Sequence, residues 1–158
     1  MKPRMRNNGR VDEELFKKFR ELMPIASVDL LPVHKGRLLL MLRNNEPGKD
    51  IWFVPGGRVR YGETLEQAAI RKLSDETGLS ANKIEKKGVM SHLWPQAHYV
   101  STFFLAEVMD DRVKMNDEHR EYKWILGITD DLHPYLKQMI KEASIFIEAS
   151  NKKDTYLD

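Results

Sequence analysis

The apolar positions change period along the chain, and the changes mark out its elements. In "VDEELFKKFRELM" the residues Leu15, Phe16, Phe19, Leu22 and Met23 fall at helical spacing. That predicts a short amphipathic helix over 11–23. "IASVDLLPVHKGRLLLMLRN" reads as two strands around a turn from His34 to Arg37, with Gly36 free to take positive φ. "NNEPGKD" reads as a loop and "IWFV" as a short strand. Thr64 followed by Gln67 has the form of a capping box, and Gly78 suits a helix end, so a helix is predicted between them. "IEKKGVMSHLW", "HYVSTFFLAEVM" and "EYKWILGI" are rich in branched and aromatic residues and read as strands. Over 130–151 the residues Leu132, Leu136, Met139, Ile140, Ala143 and Ile147 mark a second amphipathic helix. Strands come in runs, with helices between and after them. The pattern predicts an α/β (α+β) fold, an α/β/α sandwich around a mixed sheet.

Neither a repeat nor a linker interrupts this pattern, so residues 1–158 are expected to form one domain. The opening "MKPRMRNNGR" is basic but lacks a following apolar run, which suits a frayed, solvated tail better than a signal peptide. A net charge of only +2 does not call for a nucleic acid or a membrane surface as partner. There are no cysteines, which excludes disulfides and thiolate-bound metal and fits a reducing, cytoplasmic setting.

One acid breaks the pattern. With Leu65 at zero on a helical wheel, Ala69 lies near 40°, Leu73 near 80° and Ala68 near −60°. Glu76 falls at about 20°, inside this apolar face, with Lys72 at about −20°. A carboxylate there requires a cation or several donors. Arg71–Asp75 and Lys72–Glu76 are i,i+4 pairs of the kind that decorate solvated helices. Yet Asp75 and Glu76 together at a helix end also suit a hard cation, and the preceding "PGG" lets backbone approach an ion closely.

The spacing through this region is Gly57, five residues, Glu63, seven residues, Arg71, then Leu73, Asp75, Glu76, Gly78 and Leu79. It resembles the Nudix box, Gly-x5-Glu-x7-Arg-Glu-U-x-Glu-Glu-x-Gly-U, where U is apolar. Lys72 and Asp75 stand where the box has glutamates. Outside the box, "SVDLL", "RNNEPGKDIWFVPGGRV" and "NDEHREYKW" are similar to segments of the GDP-mannose mannosyl hydrolases, a Nudix branch in which some box acids are also replaced. The likeness runs from about Pro24 to Leu126.

The resemblance implies a Nudix sandwich that binds Mg²⁺, or Mn²⁺ in its place, and hydrolyses GDP-mannose to GDP and mannose by attack at the sugar carbon. By position, the carbonyl of Gly56 with Glu76 and Glu118 would hold the metal, and His119 would be the general base. Arg58 would contact the diphosphate, while Asp29, Arg43 and Tyr99 would hold the nucleotide sugar. Arg71 would orient the helix acids, and a homodimer held partly by the first helix is implied.

The chemistry suits these residue types. A metal and arginines stabilise charge on a departing diphosphate, and an imidazole titrates near neutral pH. His119 is expected in a polar loop before the "EYKWIL" strand. Arg58 has Glu63 as an alternative partner, and Asp29, mid-strand among apolar residues, has Arg43. Two other readings remain. With Asp75 as a further metal ligand and Glu118 as base, the chain would be a pyrophosphohydrolase acting at phosphorus. With Lys72 disabling the metal site, it would be a nucleotide-sugar sensor.

Overall fold

The computed structural model describes residues 11–146. Its elements are α1 (Glu13–Leu22), β1 (Ile25–His34), β2 (Arg37–Arg43), β3 (Trp52–Phe53), β4 (Gly56–Arg58), α2 (Leu65–Thr77), β5 (Ala81–Trp94), β6 (Ala97–Val108), β7 (His119–Ile125) and α3 (Pro134–Glu142). The sheet runs β3-β2-β1-β6-β5, with β4 pairing to β1 and β7 to β2. β1 and β6 are parallel and every other pairing is antiparallel, so the sheet is mixed as expected.

The three central strands are apolar on both faces because both faces are covered. Leu31, Leu38, Leu40 and Phe103 pack with Leu136, Met139 and Ile140 of α3. Their neighbours Val28, Leu30, Leu39, Met41 and Phe104 pack with Ala68, Ala69 and Leu73 of α2. The period-two alternation along each strand thus sorts side chains between two helical layers. This is the α/β/α sandwich expected from the sequence. Among the described residues, no helix is long and apolar enough to cross a membrane.

Several boundaries move. The last helix is shorter than its apolar pattern: Asp130 to Leu132 lie in a turn, His133 caps the helix through its ring, and Pro134 opens it. Proline suits that first position because its missing N–H has no partner to lose. Ser144 and Phe146 then take positive φ, which ends the helix, and Ile147 lies outside the described residues. β7 begins at His119, two residues before the expected strand, so His119 is a strand residue and not a loop residue. Its pairing with Arg43 follows a register irregularity after Leu42.

Phe103 is fully buried at the centre of the α3-side core. Phe103→Ala should cost about 3–5 kcal/mol. Urea unfolding is the check: the midpoint should fall with little change in slope.

Candidate functional site

Thr64 and Gln67 form the capping box, with reciprocal bonds of 3.1 and 2.9 Å. Gly78 closes α2 in the left-handed conformation at φ 68°. Between these caps the helix presents Glu76 to the sheet. Its carboxylate is fully buried. The backbone N–H of Gly56 donates to Oε2 at 2.8 Å, and Lys72 Nζ lies 3.0 Å from Oε1. The misplaced acid therefore has the donor and the cation that burial requires. Burial opposes its ionisation, but the neighbouring His119 and Lys72 outweigh that and hold the Glu76 carboxyl down at about 2.

Glu118 and His119 arrive from the start of β7. Glu76, Glu118 and His119 each offer a ligand atom within 4.8 Å of the others. His119 Nε2 stands 3.6 Å from Glu76 Oε2, an electrostatic neighbour rather than a hydrogen-bond partner. The imidazole is buried, and neither ring nitrogen has a hydrogen-bond partner among the described residues. Burial, then the adjacent Glu76, raises the Glu118 carboxyl above its ordinary range. Clustered carboxylates with an unsatisfied buried imidazole fit a divalent cation. The oxygen-rich set suits Mg²⁺ or Mn²⁺.

Asp75 is not part of this cluster. Its side chain is half exposed, and its nearest cation is Arg71 at 3.8 Å. Arg71 is chiefly committed to Glu63, with bonds of 2.5 and 2.9 Å, and it also donates to the carbonyl of Arg58 at 3.2 Å. It pins the loop after β4 to α2, so Glu63 is taken by Arg71 and not by Arg58.

Glu118, Lys72 and Arg71 open onto a cavity of about 290 Å³ that also receives Asp29, Arg43, Arg58, Arg60 and Tyr99, while Glu76 and His119 are buried and do not line it. The Tyr99 hydroxyl lies in the field of Arg20, Arg43 and Arg58, while burial raises its pKa. The wall is thus rich in guanidinium groups, which suits a polyanionic ligand. Asp29 does not hydrogen-bond Arg43, whose Nε donates to the Pro47 carbonyl at 2.8 Å. Its partner is the Ser101 hydroxyl at 2.5 Å, across the parallel β1–β6 pairing. Burial pushes Asp29 up to about 7, against that bond and against Arg43. His92 Nδ1 lies 3.7 Å away, but burial lowers its pKa to about 4, so at neutral pH it brings no charge to the carboxyl.

Sequence reasoning missed Phe16 and Arg20. It treated α1 as peripheral, yet both line the cavity, and the Arg58 guanidinium sits 3.7 Å from the Phe16 ring centroid. An arginine four residues after an aromatic, on one helix face, was the available signal.

A mixed sheet between helices carries an acid cluster able to hold a metal beside an arginine-lined cavity suited to an anionic ligand. The chain belongs to the Nudix family: the NUDIX domain model matches residues 23–126. It is similar to the low-salt glycan biosynthesis protein Agl8 of Haloferax volcanii, 33% identical over 75% of this chain and 81% of that protein. It also resembles the ADP-ribose pyrophosphatase of Methanocaldococcus jannaschii, 35% identical over 66% of this chain and 64% of the relative. Among solved structures, the MutT protein of Methanosarcina mazei Go1 superimposes with a TM-score of 0.67 at 29% identity, covering 82% of this chain and 97% of that one. The MutT Nudix hydrolase of Burkholderia pseudomallei shares the fold, with a TM-score of 0.69 at 23% identity over 76% and 98% of the two chains.

Asp29 favours its protonated form in the fold. Its stability contribution should be complete below its ordinary pKa of 3.8 and be lost as pH rises through about 7. The loss is on the order of 4 kcal/mol at most. In Asp29→Asn, melting temperature followed from pH 4 to 8 should fall less steeply than in the parent. Parallel profiles would assign the proton to another group.

Proposed function

We propose that this Nudix hydrolase cleaves a nucleotide sugar, GDP-mannose or a close analogue, at the anomeric carbon to release GDP and the free sugar. The observation that carries the reading is the pairing of one helix acid with an imidazole: Glu76 lies 3.6 Å from His119, while Asp75 stays outside the cluster. Attack at phosphorus between two cations calls for a fuller set of carboxylates. Glu76, Glu118 and the Gly56 carbonyl would hold one Mg²⁺ or Mn²⁺, which when bound stabilises negative charge on the departing diphosphate. Arg58 takes the diphosphate through its guanidinium fork, and Arg43 assists from the end of β2. Asp29 and Tyr99 hold the sugar hydroxyls. His119 accepts the proton of the attacking water on a ring nitrogen, and its burial keeps bulk water from competing. Arg71 acts through the loop it pins and through the Arg58 carbonyl it holds at the end of β4. A cysteine-free chain suits a cytoplasmic location for this reaction.

A second reading has support of its own. The raised Glu118 carboxyl is a candidate base for attack at phosphorus, and the Methanocaldococcus relative is an ADP-ribose pyrophosphatase. ³¹P NMR of products from GDP-mannose with Mg²⁺ separates the two. GDP is expected; GMP with mannose 1-phosphate would replace the first reading by the second. In either case Glu76→Gln should lower kcat/KM at least about a hundredfold. Nucleotide binding without any turnover would identify a sensor instead.

We also propose a homodimer. Leu22 and Met23 at the end of α1 are exposed and share a cleft with the exposed Leu93 of β5. Light scattering at micromolar concentration should give twice the chain mass of 18.5 kDa, and a monomeric mass would refute the dimer.

A further inference from the structure

Lys72 is not explained by the reaction above. It stands one helical turn before Glu76, at a position where the Nudix box has an acid. Its side chain is buried, and the stem passes beneath Gly57: a Cβ there would sit 2.7 Å from Lys72 Cε. Glycine leaves the room that the lysine fills. The ammonium lies 3.0 Å from Glu76 and 3.6 Å from Glu118, so it bridges the two carboxylates of the cluster. It also lines the arginine-walled cavity beside Gly56, Gly57 and Arg58.

We propose that Lys72 is a built-in cation which limits the site to one divalent ion and presents its ammonium to the substrate's diphosphate. The inference rests on the reading of Glu76 and Glu118 as metal ligands. The charge balance supports it. Two carboxylates and one ammonium leave a net single negative charge, enough to attract one divalent cation but opposing a second. An acid at position 72 would reverse this, adding a ligand and removing a positive charge from the same few ångströms. Lysine suits the role because its ammonium is a compact point charge on a flexible stem. The stem lets it turn from the carboxylates toward a phosphate oxygen when a metal takes its place.

Mn²⁺ binding to the substrate-free protein, followed by the EPR signal of the free ion, tests this without reference to turnover. The parent should bind one ion per chain. Lys72→Met should still bind one, at least about tenfold more tightly because the repelling charge is gone. Lys72→Glu should bind two, and Lys72→Arg should match the parent. With a nucleotide sugar added, Lys72→Met should show a raised KM that Lys72→Arg largely restores. Two ions on the parent, or unchanged Mn²⁺ affinity in Lys72→Met, would overturn the proposal and leave the metal reading standing. No Mn²⁺ binding by the parent would overturn the metal reading itself, and the role of Lys72 with it.

Discussion

The site depends on a carboxylate that ought not to be where it is. Glu76 is fully buried on the apolar face of α2, and its charge survives because the Gly56 N–H and the Lys72 ammonium meet it there. The Gly56 contact joins residues 20 apart in sequence, while Lys72 stands one turn before Glu76 on the same helix. The bond to Gly56 fixes α2 against β4, and β4 is paired with β1. β1 in turn carries Asp29 into the same cavity. One satisfied buried charge thereby sets the distance between the helix acids and the sheet. An apolar side chain at 76 would leave the Gly56 N–H and the buried Lys72 ammonium without this acceptor, and would provide neither the anchor nor the charge.

The second organising contact is the bidentate pair of Arg71 and Glu63. Its geometry is that of a guanidinium fork on a carboxylate, stronger and more directional than a lysine contact. It closes the segment between β4 and α2 into a loop of fixed shape that carries Arg60 to the cavity wall, next to Arg58 at the end of β4. A division of labour results along α2. Arg71 serves the loop, Glu76 serves the cluster, and Asp75, one residue away on the wheel, faces solvent beside Arg71. Neighbouring acids in one motif therefore have different fates because the helix turns about 100° between them.

Much of this was legible in the sequence. The sandwich followed from runs of strands with helices between and after them and from helices with a single apolar stripe. The helix caps followed from Thr64, Gln67 and Gly78, whose chemistry is local. The position of Glu76 on the wheel announced a buried charge before any partner was known. What stayed hidden depends on long-range register. Ser101 becomes the partner of Asp29 only because β6 runs parallel to β1 in a register that sets Ser101 opposite Ser27, two residues before Asp29. His119 joins a strand, and so becomes buried, because β7 pairs with β2 past a shift at Arg43. The cavity wall supplied by Phe16 and Arg20 required knowing where α1 docks. No periodicity within one segment encodes such facts.

The same reasoning bears on how a shared fold acquires a particular chemistry. The sheet and α2 scaffold are shared with solved Nudix structures, and the positions where this chain departs from the box bear on its chemistry. At 72 an acid has become a base, and at 75 the shorter aspartate is left in solvent. Both leave less negative charge facing the cavity, whose wall carries the arginines around Tyr99. A site with less negative charge holds fewer cations, and the polyanionic substrate then depends more on fixed positive groups. These groups are attached to the protein and need no reorganisation when substrate arrives, which is how preorganised charges stabilise a leaving diphosphate. In the reaction proposed above, with charge on the leaving group handled in this way, the remaining demand is a proton acceptor near the reacting carbon. The buried imidazole of His119, unpartnered among the described residues and adjacent to Glu76, is the group proposed for that role.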